Sequence, residues 1–239
     1  MVIFLLLKGL LSPSFEQYSY FFLLNVIKIS KFMFAMLVLI GQICHIIGAL
    51  IYKAFCRNIE TRWLVFFAFV VSVIGAFLNY AFAKRWNLDW GIPDLYFLVF
   101  TDVVFSVIST ILYSLPILAL FAKITPPRVE GTVFAFLTGT MNFSSTVISP
   151  AVGTWLNNEF VGVNKRDLSN YSTLCLISLI CSIIQFVLLP LIPTKPQIKE
   201  FRAVRAEEYE EVRKARRERR LKRAMEEGGD MAPLMMGSG

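Results

Sequence analysis

Long apolar runs alternate with short polar segments along most of this chain. A helix needs about 20 apolar residues to cross a bilayer, and each run comes close to that length or exceeds it. The third run contains Pro116, which predicts a kink or tilt within one long helix. The pattern predicts five full transmembrane helices: Phe32–Ile51, Trp63–Ala83, Leu95–Ala122, Val133–Leu156 and Leu174–Ile192.

The first 31 residues depart from this pattern. The apolar run 2–11 has only about half the length needed to span a bilayer alone. The sequence Ser12-Pro13-Ser14 is a turn signal, and the aromatic segment after it has the composition of a membrane-interface belt. We therefore predict that residues 1–31 form a truncated helix, or helical stub, followed by an interfacial segment.

Composition places the chain among the integral membrane proteins. Hydrophobic residues make up 56% of the 239 residues and the mean hydropathy is +0.62, against an apolar content of about 45–50% in soluble domains. The formal net charge is +7, but 11 of the 24 Lys and Arg residues lie between Lys199 and Arg223. The basic charge belongs to the tail, so it does not indicate nucleic acid as a partner.

The predicted organisation is an all-α membrane protein in which a five-helix bundle over 32–193 follows the stub. Residues 194–227 form a charged helical tail outside the membrane, and 228–239 a disordered end. Within the tail, the Glu–Lys pairs 210–214 and 218–222 have a helix-stabilising spacing. The tail is either a solvated helix or a docking surface for lipid or a partner chain. Its positive charge places it on the cytoplasmic side, and the plasma membrane and an organellar inner membrane both remain open.

Polar side chains recur at helical spacing inside three of the predicted spans. Hydrocarbon makes such residues costly, so they usually face a protein interior or a water-filled path. The alternative for the hydroxyl residues is that they hydrogen-bond to their own helix backbone. The three stripes are Gln42 and His45; Asp102, Ser106, Ser109 and Tyr113; and Thr138, Asn142, Ser145 and Ser149.

Asp102 is the acidic residue within these stripes. A carboxyl group two turns inside a span must be paired, hydrated or protonated, which makes it a candidate for proton or cation coupling. His45, the only histidine of the chain, is its candidate companion, although a single histidine in a span is also typical of a hydrogen-bonded packing residue. The sequence shows no catalytic set, metal-ligand cluster or phosphate loop. We therefore predict a protein that is not an enzyme and has no cofactor and no metal.

The turn between the third and fourth spans has the most distinctive chemistry. The stretch 126–135 reads Pro-Pro-Arg-Val-Glu-Gly-Thr-Val-Phe-Ala and continues to Asn142. The prolines stop the preceding helix, and Glu130 lies in the first turn of the next, where the helix dipole favours a negative charge. Small residues at Gly131, Ala135 and Gly139 predict that this helix approaches a neighbour closely, as does the pair Gly41 and Gly48 on the first span.

This stretch resembles the eleventh-helix signature of the folate-biopterin transporter family, a branch of the major facilitator superfamily. Three other segments resemble that family: Ser12-Pro13-Ser14 with its aromatic run, 48–52 together with Arg62, and Phe100-Thr101-Asp102. The resemblance covers about 2–193. It implies that the stub is the outer end of a seventh helix and that the five spans are the eighth to twelfth, which is one lobe of a major facilitator fold.

The resemblance also implies a function. Members of this family move folates or pterins by alternating access. By analogy Asp102 and Asn142 lie near the substrate path, and Arg128 with Glu130 forms a cytoplasmic hinge, to which we add the adjacent Gly131. Gln42 and His45, the polar pair of the first span, are further candidates for the path. The same residues 126–131 are also consistent with a helix cap and interface anchors alone.

The major facilitator fold has two six-helix lobes with the substrate between them, whereas this chain resembles one. Another membrane chain is therefore an expected partner, as the missing lobe or as a host complex, beside the lipid bilayer and a folate or pterin ligand. Alternatively, the sequence is a partial gene product. The predicted function is that of a half-size transporter contributing one lobe to a transport unit; the alternative is a non-transporting structural or accessory subunit of a larger membrane complex.

Overall fold

The structure is a computed structural model. It describes residues 1–56, 59–125 and 130–200, together with Ala203, Lys214 and Glu218, but not the side chains of Asp102, Ser106 and Glu130. Within that part of the chain the backbone forms helices and turns and no strand. Four helices are long and apolar enough to cross a membrane, which confirms the prediction of an all-α membrane protein.

Two compact units divide the chain, Met1–Lys195 and Pro196–Gly239. The first contains all the apolar helices. In the second, residues 196–200 and the three isolated residues named above are helical. The predicted Glu–Lys pairs of the tail and the end 228–239 lie outside the described residues, and their structure stays a prediction.

The chain begins with two short helices, α1 (Val2–Leu10) and α2 (Glu16–Asn25). The predicted turn at Ser12-Pro13-Ser14 separates them. Phe4 and Leu5 of α1 are 0% and 1% exposed, so α1 lies inside the bundle. How residues 1–31 are placed relative to a bilayer stays a prediction.

Three of the four apolar helical runs follow. The first is α3 (Lys31–Ile51), capped by the Ser30 hydroxyl, which accepts the Met33 N–H at 3.1 Å. It continues through a π-helical turn. The next is α4 (Thr61–Ala83), followed by the short α5 (Trp86–Asp89). The third combines α6 (Asp94–Ser109), the π-helical turn Thr110–Ser114 and α7 (Leu115–Ile124).

The π-helical turn stands immediately before Pro116, which has no N–H to donate and clashes with the carbonyl four residues earlier in a regular helix. The wider turn accommodates the proline without ending the helix. The run Asp94–Ile124 is therefore one span, as predicted from the sequence.

The fourth predicted span lies in one unbroken helical run. It is composed of α8 (Glu130–Phe143), a π-helical turn, α9 (Ser149–Leu156) and a second π-helical turn ending at Val161. Its composition is richer in Ser and Thr than that of the other spans. The last apolar run consists of α10 (Tyr171–Ile184) and the 3₁₀ turn Gln185–Leu191.

The predicted fourth span, Val133–Leu156, ends about one helical turn too early. The helix continues to Val161 and ends at Gly162, whose φ of +74° is the left-handed conformation common after helices. Asn157 is 2% exposed. Its carboxamide accepts the Val163 N–H and donates to the Val163 carbonyl, both at 2.9 Å. These bonds satisfy a buried amide that sequence pattern alone assigns to a loop.

The break between α1 and α2 is held by hydrogen bonds from the run Glu130–Val161. The hydroxyls of Ser144 and Ser149 donate to the carbonyls of Leu5 and Ser12. The Ser14 N–H donates to the Ser149 carbonyl at 3.0 Å. Unpaired backbone groups are strongly unfavourable away from water, so these bonds allow a helix to be interrupted inside the bundle.

Aromatic packing holds the ends of four helices together within the first unit. Phe22 of α2 stacks on Tyr171 of α10 with ring centroids 4.5 Å apart, and Phe82 of α4 stacks on Phe97 of α6 at 5.4 Å. All four rings are buried and belong to one cluster. Such ring pairs contribute about 0.5–1.5 kcal/mol each beyond their buried area.

Candidate functional site

Gln42 and His45 lie on the exposed side of α3. A hydrogen bond joins His45 Nδ1 to the hydroxyl of Thr110, a buried residue in the π-helical turn of the third span. Gly48 permits this contact, because a Cβ there would lie 3.0 Å from Thr110 Cβ and from the Val107 carbonyl oxygen. The close approach predicted for the Gly48 face is therefore confirmed.

Asn142 lies on an exposed part of α8. Its backbone carbonyl accepts hydrogen bonds from the hydroxyls of Ser145, at 3.1 Å, and Thr146, at 2.7 Å. Thr140 likewise donates to a carbonyl one turn earlier. On this side of α8, hydroxyl groups bond to their own helix, which is the alternative that the sequence left open for them.

The remaining predicted site residues are only partly described. Asp102 is part of α6 and Glu130 begins α8, but their side chains lie outside the described structure, as does Arg128 entirely. Gly131 is exposed, and a Cβ at Gly131 or Gly139 would meet no atom of another residue within 4 Å. Within the described chain, the small-residue face predicted on α8 therefore meets no neighbouring helix.

The predicted path residues are not joined to one another. Among the described side chains, no hydrogen bond or ion pair connects Gln42, His45 and Asn142. The contact of His45 is with Thr110, which the sequence did not single out. These residues lie on the exposed sides of α3 and α8, which together we call the open face.

A separate cavity of about 500 Å³ lies between α1, α2, α4, α6 and α10. We call it the inner cavity. Three aromatic rings, Phe69, Phe105 and Tyr113, belong to its wall. The remaining wall is rich in hydroxyl and amide side chains and carries one ammonium group: the polar residues are Lys8, Ser12, Ser19, Ser72, Asn79, Thr101, Ser109, Ser178, Ser182 and Gln185.

Lys8 is the charged residue of this wall. Its Nζ lies 4.5 Å from the centroid of the Tyr113 ring, a distance typical of a cation–π contact. Within the described part of the chain, no carboxylate pairs with it. The sequence pattern does not single out Lys8, because the run 2–11 predicts only a helical stub. A single lysine one turn before a Ser-Pro-Ser break was the signal that could have found it.

The two amides of the wall each keep hydrogen-bonding capacity. Asn79 Nδ2 donates to the Gly75 carbonyl at 3.1 Å, and Gln185 Nε2 donates to the Leu11 carbonyl at 3.3 Å. Each amide has a second N–H and a carbonyl oxygen beyond these bonds. The inner cavity therefore combines a cation, amide groups and aromatic rings in a space large enough for a small organic molecule.

The loops between the spans are ordered by local polar contacts. Arg85, at a φ of +67°, forms an ion pair with Asp94 at 2.9 Å, and Asn87 donates to the same carboxylate at 2.8 Å. Further along, the Ser169 N–H and hydroxyl donate to the Asp167 carboxylate, which lowers the pKa of Asp167. These contacts hold the connections at the ends of α4, α6 and α10, which are three of the helices that line the inner cavity.

Comparison with known proteins gives one consistent result. The BT1 family profile matches residues 1–212. The probable folate-biopterin transporter 6 of Arabidopsis thaliana is 33% identical over 138 residues, which is 58% of this chain and 27% of that protein. The folate-biopterin transporter of Synechocystis is 26% identical over 167 residues, 70% and 33% of the two chains. No solved structure matches the chain.

A third relative, the folate transporter 1 of Plasmodium falciparum, is 24% identical over 138 residues, 58% of this chain and 27% of that protein. The chain thus spans a third or less of the length of these relatives. All three are named as transporters and none as an enzyme. The match over residues 1–212 covers most of the chain and agrees with the resemblance of the stretch 126–142. The chain therefore belongs to the BT1 family of folate-biopterin transporters.

Proposed function

We propose that this chain supplies one lobe of a membrane transport unit that carries a folate or a pteridine. The observation that carries the proposal is the family match, which extends over all of the apolar helices. The relatives are named for folate and biopterin transport. In the proposed unit a second membrane chain provides the other lobe, and the solute passes between the two.

The open face is the proposed lining of the solute path. Gln42, His45 and Asn142 are polar groups on exposed sides of helices whose other exposed residues are mostly apolar. A polar group that faces lipid is unfavourable, so a second protein surface or a hydrated path beside them is favoured. Asp102 supplies the protonatable group of this path, and the segment of Arg128, Glu130 and Gly131 is the proposed hinge.

The test is folate transport with and without a companion lobe. The full chain is reconstituted in liposomes alone and after co-expression with the N-terminal half of the Synechocystis folate-biopterin transporter, and uptake of radiolabelled folate is measured. We expect uptake only in the paired state. Absence of both folate binding and uptake in either state would contradict the proposal.

Asp102→Asn tests the proposed path within the paired unit. Loss of a protonatable group should lower folate uptake at least tenfold without changing the assembled mass. The matched control is Asp89→Asn, which removes an exposed carboxylate at the end of α5 and should leave uptake unchanged. Equal uptake by both variants would remove Asp102 from the path.

A non-transporting accessory subunit is the second candidate, and the basic tail, with 11 of the 24 Lys and Arg residues between Lys199 and Arg223, offers it a docking surface. The native mass of the complex purified from its own membrane distinguishes the two. If Asp102→Asn leaves the activity and mass of the host complex unchanged, while deletion of 194–227 dissociates the complex, the accessory function is supported and transport by this lobe is contradicted.

A further inference from the structure

We propose that the inner cavity binds a small aromatic carboxylate, with Lys8 as its countercharge. The site lies inside the helix bundle and is lined by residues other than Gln42, His45 and Asn142. Its wall differs from the open face of α3 and α8, but α6 carries both Asp102 of the proposed path and Thr101 of the cavity wall. Binding at this site is measured without folate transport.

The charge of the wall selects an anion. Lys8 projects into the cavity together with hydroxyl and amide groups, and among the described lining residues there is no carboxylate. An ammonium group surrounded by a helix bundle is costly unless it is hydrated or paired. The contact with the Tyr113 ring stabilises it on one side only. A carboxylate in the cavity completes the ion pair.

The volume of the cavity and the aromatic rings of its wall favour an aromatic ligand of modest size. A volume of about 500 Å³ lies within the range of small-molecule sites, which is about 300–1,000 Å³. Phe105 is held close to α4, because a Cβ at Gly75 would lie 2.9 Å from that ring. Phe105 and Tyr113 are both half-buried members of the wall, so they offer accessible aromatic surface to a planar ligand.

The amides provide the remaining polar contacts. The second N–H of Gln185 and that of Asn79 are available to a carboxylate oxygen or to a polar ring substituent. The hydroxyl of Ser182 donates to the Ser178 carbonyl at 2.8 Å, so its proton is used within α10 and its oxygen keeps capacity only as an acceptor. The wall therefore accommodates a carboxylate near Lys8 and a ring donor elsewhere.

The experiment uses the full chain in lipid nanodiscs and two probes of the same shape. Binding of 4-fluorobenzoate and of 4-fluorobenzamide is measured by ligand-observed fluorine NMR, with empty nanodiscs as the baseline for partition into lipid. We expect the carboxylate to bind at least tenfold more tightly than the neutral amide. Equal affinity of the two probes, or no binding of 4-fluorobenzoate above the empty nanodiscs, would overturn the proposal.

Substitutions of Lys8 test whether its ammonium group is the countercharge of the bound carboxylate. Lys8→Met keeps the length of the side chain and removes the charge, so we expect at least a tenfold loss of 4-fluorobenzoate binding, whereas Lys8→Arg keeps binding within about threefold. The matched control is Lys165→Met, since Lys165 also lies over an aromatic ring, with Nζ 5.5 Å from the Phe21 centroid, but outside the cavity. Unchanged binding by Lys8→Met would refute the proposed countercharge.

A second variant keeps the test decisive if Lys8→Met fails to fold. Ala76 lines the cavity, and Ala76→Phe fills part of it while leaving Lys8 in place. We expect this variant to lose 4-fluorobenzoate binding, and full binding by it would place the carboxylate elsewhere. Folate uptake by the paired lobes is measured separately, so a negative result with 4-fluorobenzoate leaves the transport proposal to stand or fall on its own assay.

Discussion

The two sides of the run Glu130–Val161 use the same kinds of residue in different ways. On the open face, the hydroxyls of Ser145 and Thr146 bond to the carbonyl of Asn142 in their own helix. On the inner side, Ser144 and Ser149 bond across to the broken helix pair α1 and α2. A hydroxyl in a membrane helix therefore indicates a contact between helices only when its acceptor is known. A hydroxyl bonded to its own helix makes no such contact, whereas one bonded to another segment joins the two.

The largest expected difference in stability is between leucine substitutions at two glycines, one on each side of the run. A Cβ at Gly153 would lie 2.2 Å from the Ser14 carbonyl oxygen, whereas a Cβ at Gly139 would meet nothing within 4 Å. We expect Gly153→Leu to destabilise the bundle by about 3 kcal/mol through overpacking, and Gly139→Leu by less than about 0.5 kcal/mol. Unfolding midpoints in a denaturing detergent titration measure both. Equal losses would contradict the difference between the two sides.

A smaller effect is expected from the hydroxyls. Ser149→Ala removes the donor to the Ser12 carbonyl and should cost about 1 kcal/mol of unfolding free energy. Ser145→Ala removes a bond within one helix and should change stability by less than about 0.5 kcal/mol. The same detergent titration compares the pair. The distinction between the two kinds of hydroxyl would fail if Ser145→Ala were the more damaging change.

The smallest effect is expected in the loop after the run, which belongs to neither side. Bonds from Ser169 lower the pKa of Asp167, so Ser169→Ala should raise that pKa toward its ordinary value. The contribution of this carboxylate to loop stability is present above its ordinary pKa and is lost as the pH falls through the lowered pKa. Carboxyl-carbon NMR of labelled aspartate measures the titration. Ser172→Ala is the control, and an equal shift in both variants would contradict the assignment.

Four of the five predicted spans correspond, to within a few residues, to helices of the described chain that are long and apolar enough to cross a membrane. The predicted run 63–83 corresponds to Thr61–Ala83, and 95–122 to Asp94–Ile124. Hydrocarbon imposes both length and composition on such helices, so the run itself carries the information. Asn157 was misassigned because its partner, Val163, lies beyond the helix end and satisfies a side chain whose residue type is typical of loops.

The contacts between helices were harder to predict. Gly48 and Gly139 both belong to small-residue faces, yet only Gly48 meets a neighbouring helix. Spacing along one helix shows which residues share a face but not which face is covered. For the same reason the sequence did not pair His45 with Thr110, and it gave no reason to place Lys8 beside Tyr113. The roles of Asp102 and Arg128 stay predictions.

The π-helical turns before Pro116 and Pro150 limit how far a sequence stripe can be followed. A π-helical turn inserts one extra residue, and a residue in a helix advances the direction of its side chain by about 100°. The positions after such a turn are therefore out of phase with those before it. The spacing of Asn142, Ser145 and Ser149 indicates one common face, but Asn142 is exposed and Ser149 is 7% exposed, with the wide turn Ser144–Ile148 between them. At Pro116 and at Pro150 the side-chain directions before and after the π-helical turn no longer match, so one helix presents two unrelated surfaces on either side of that turn.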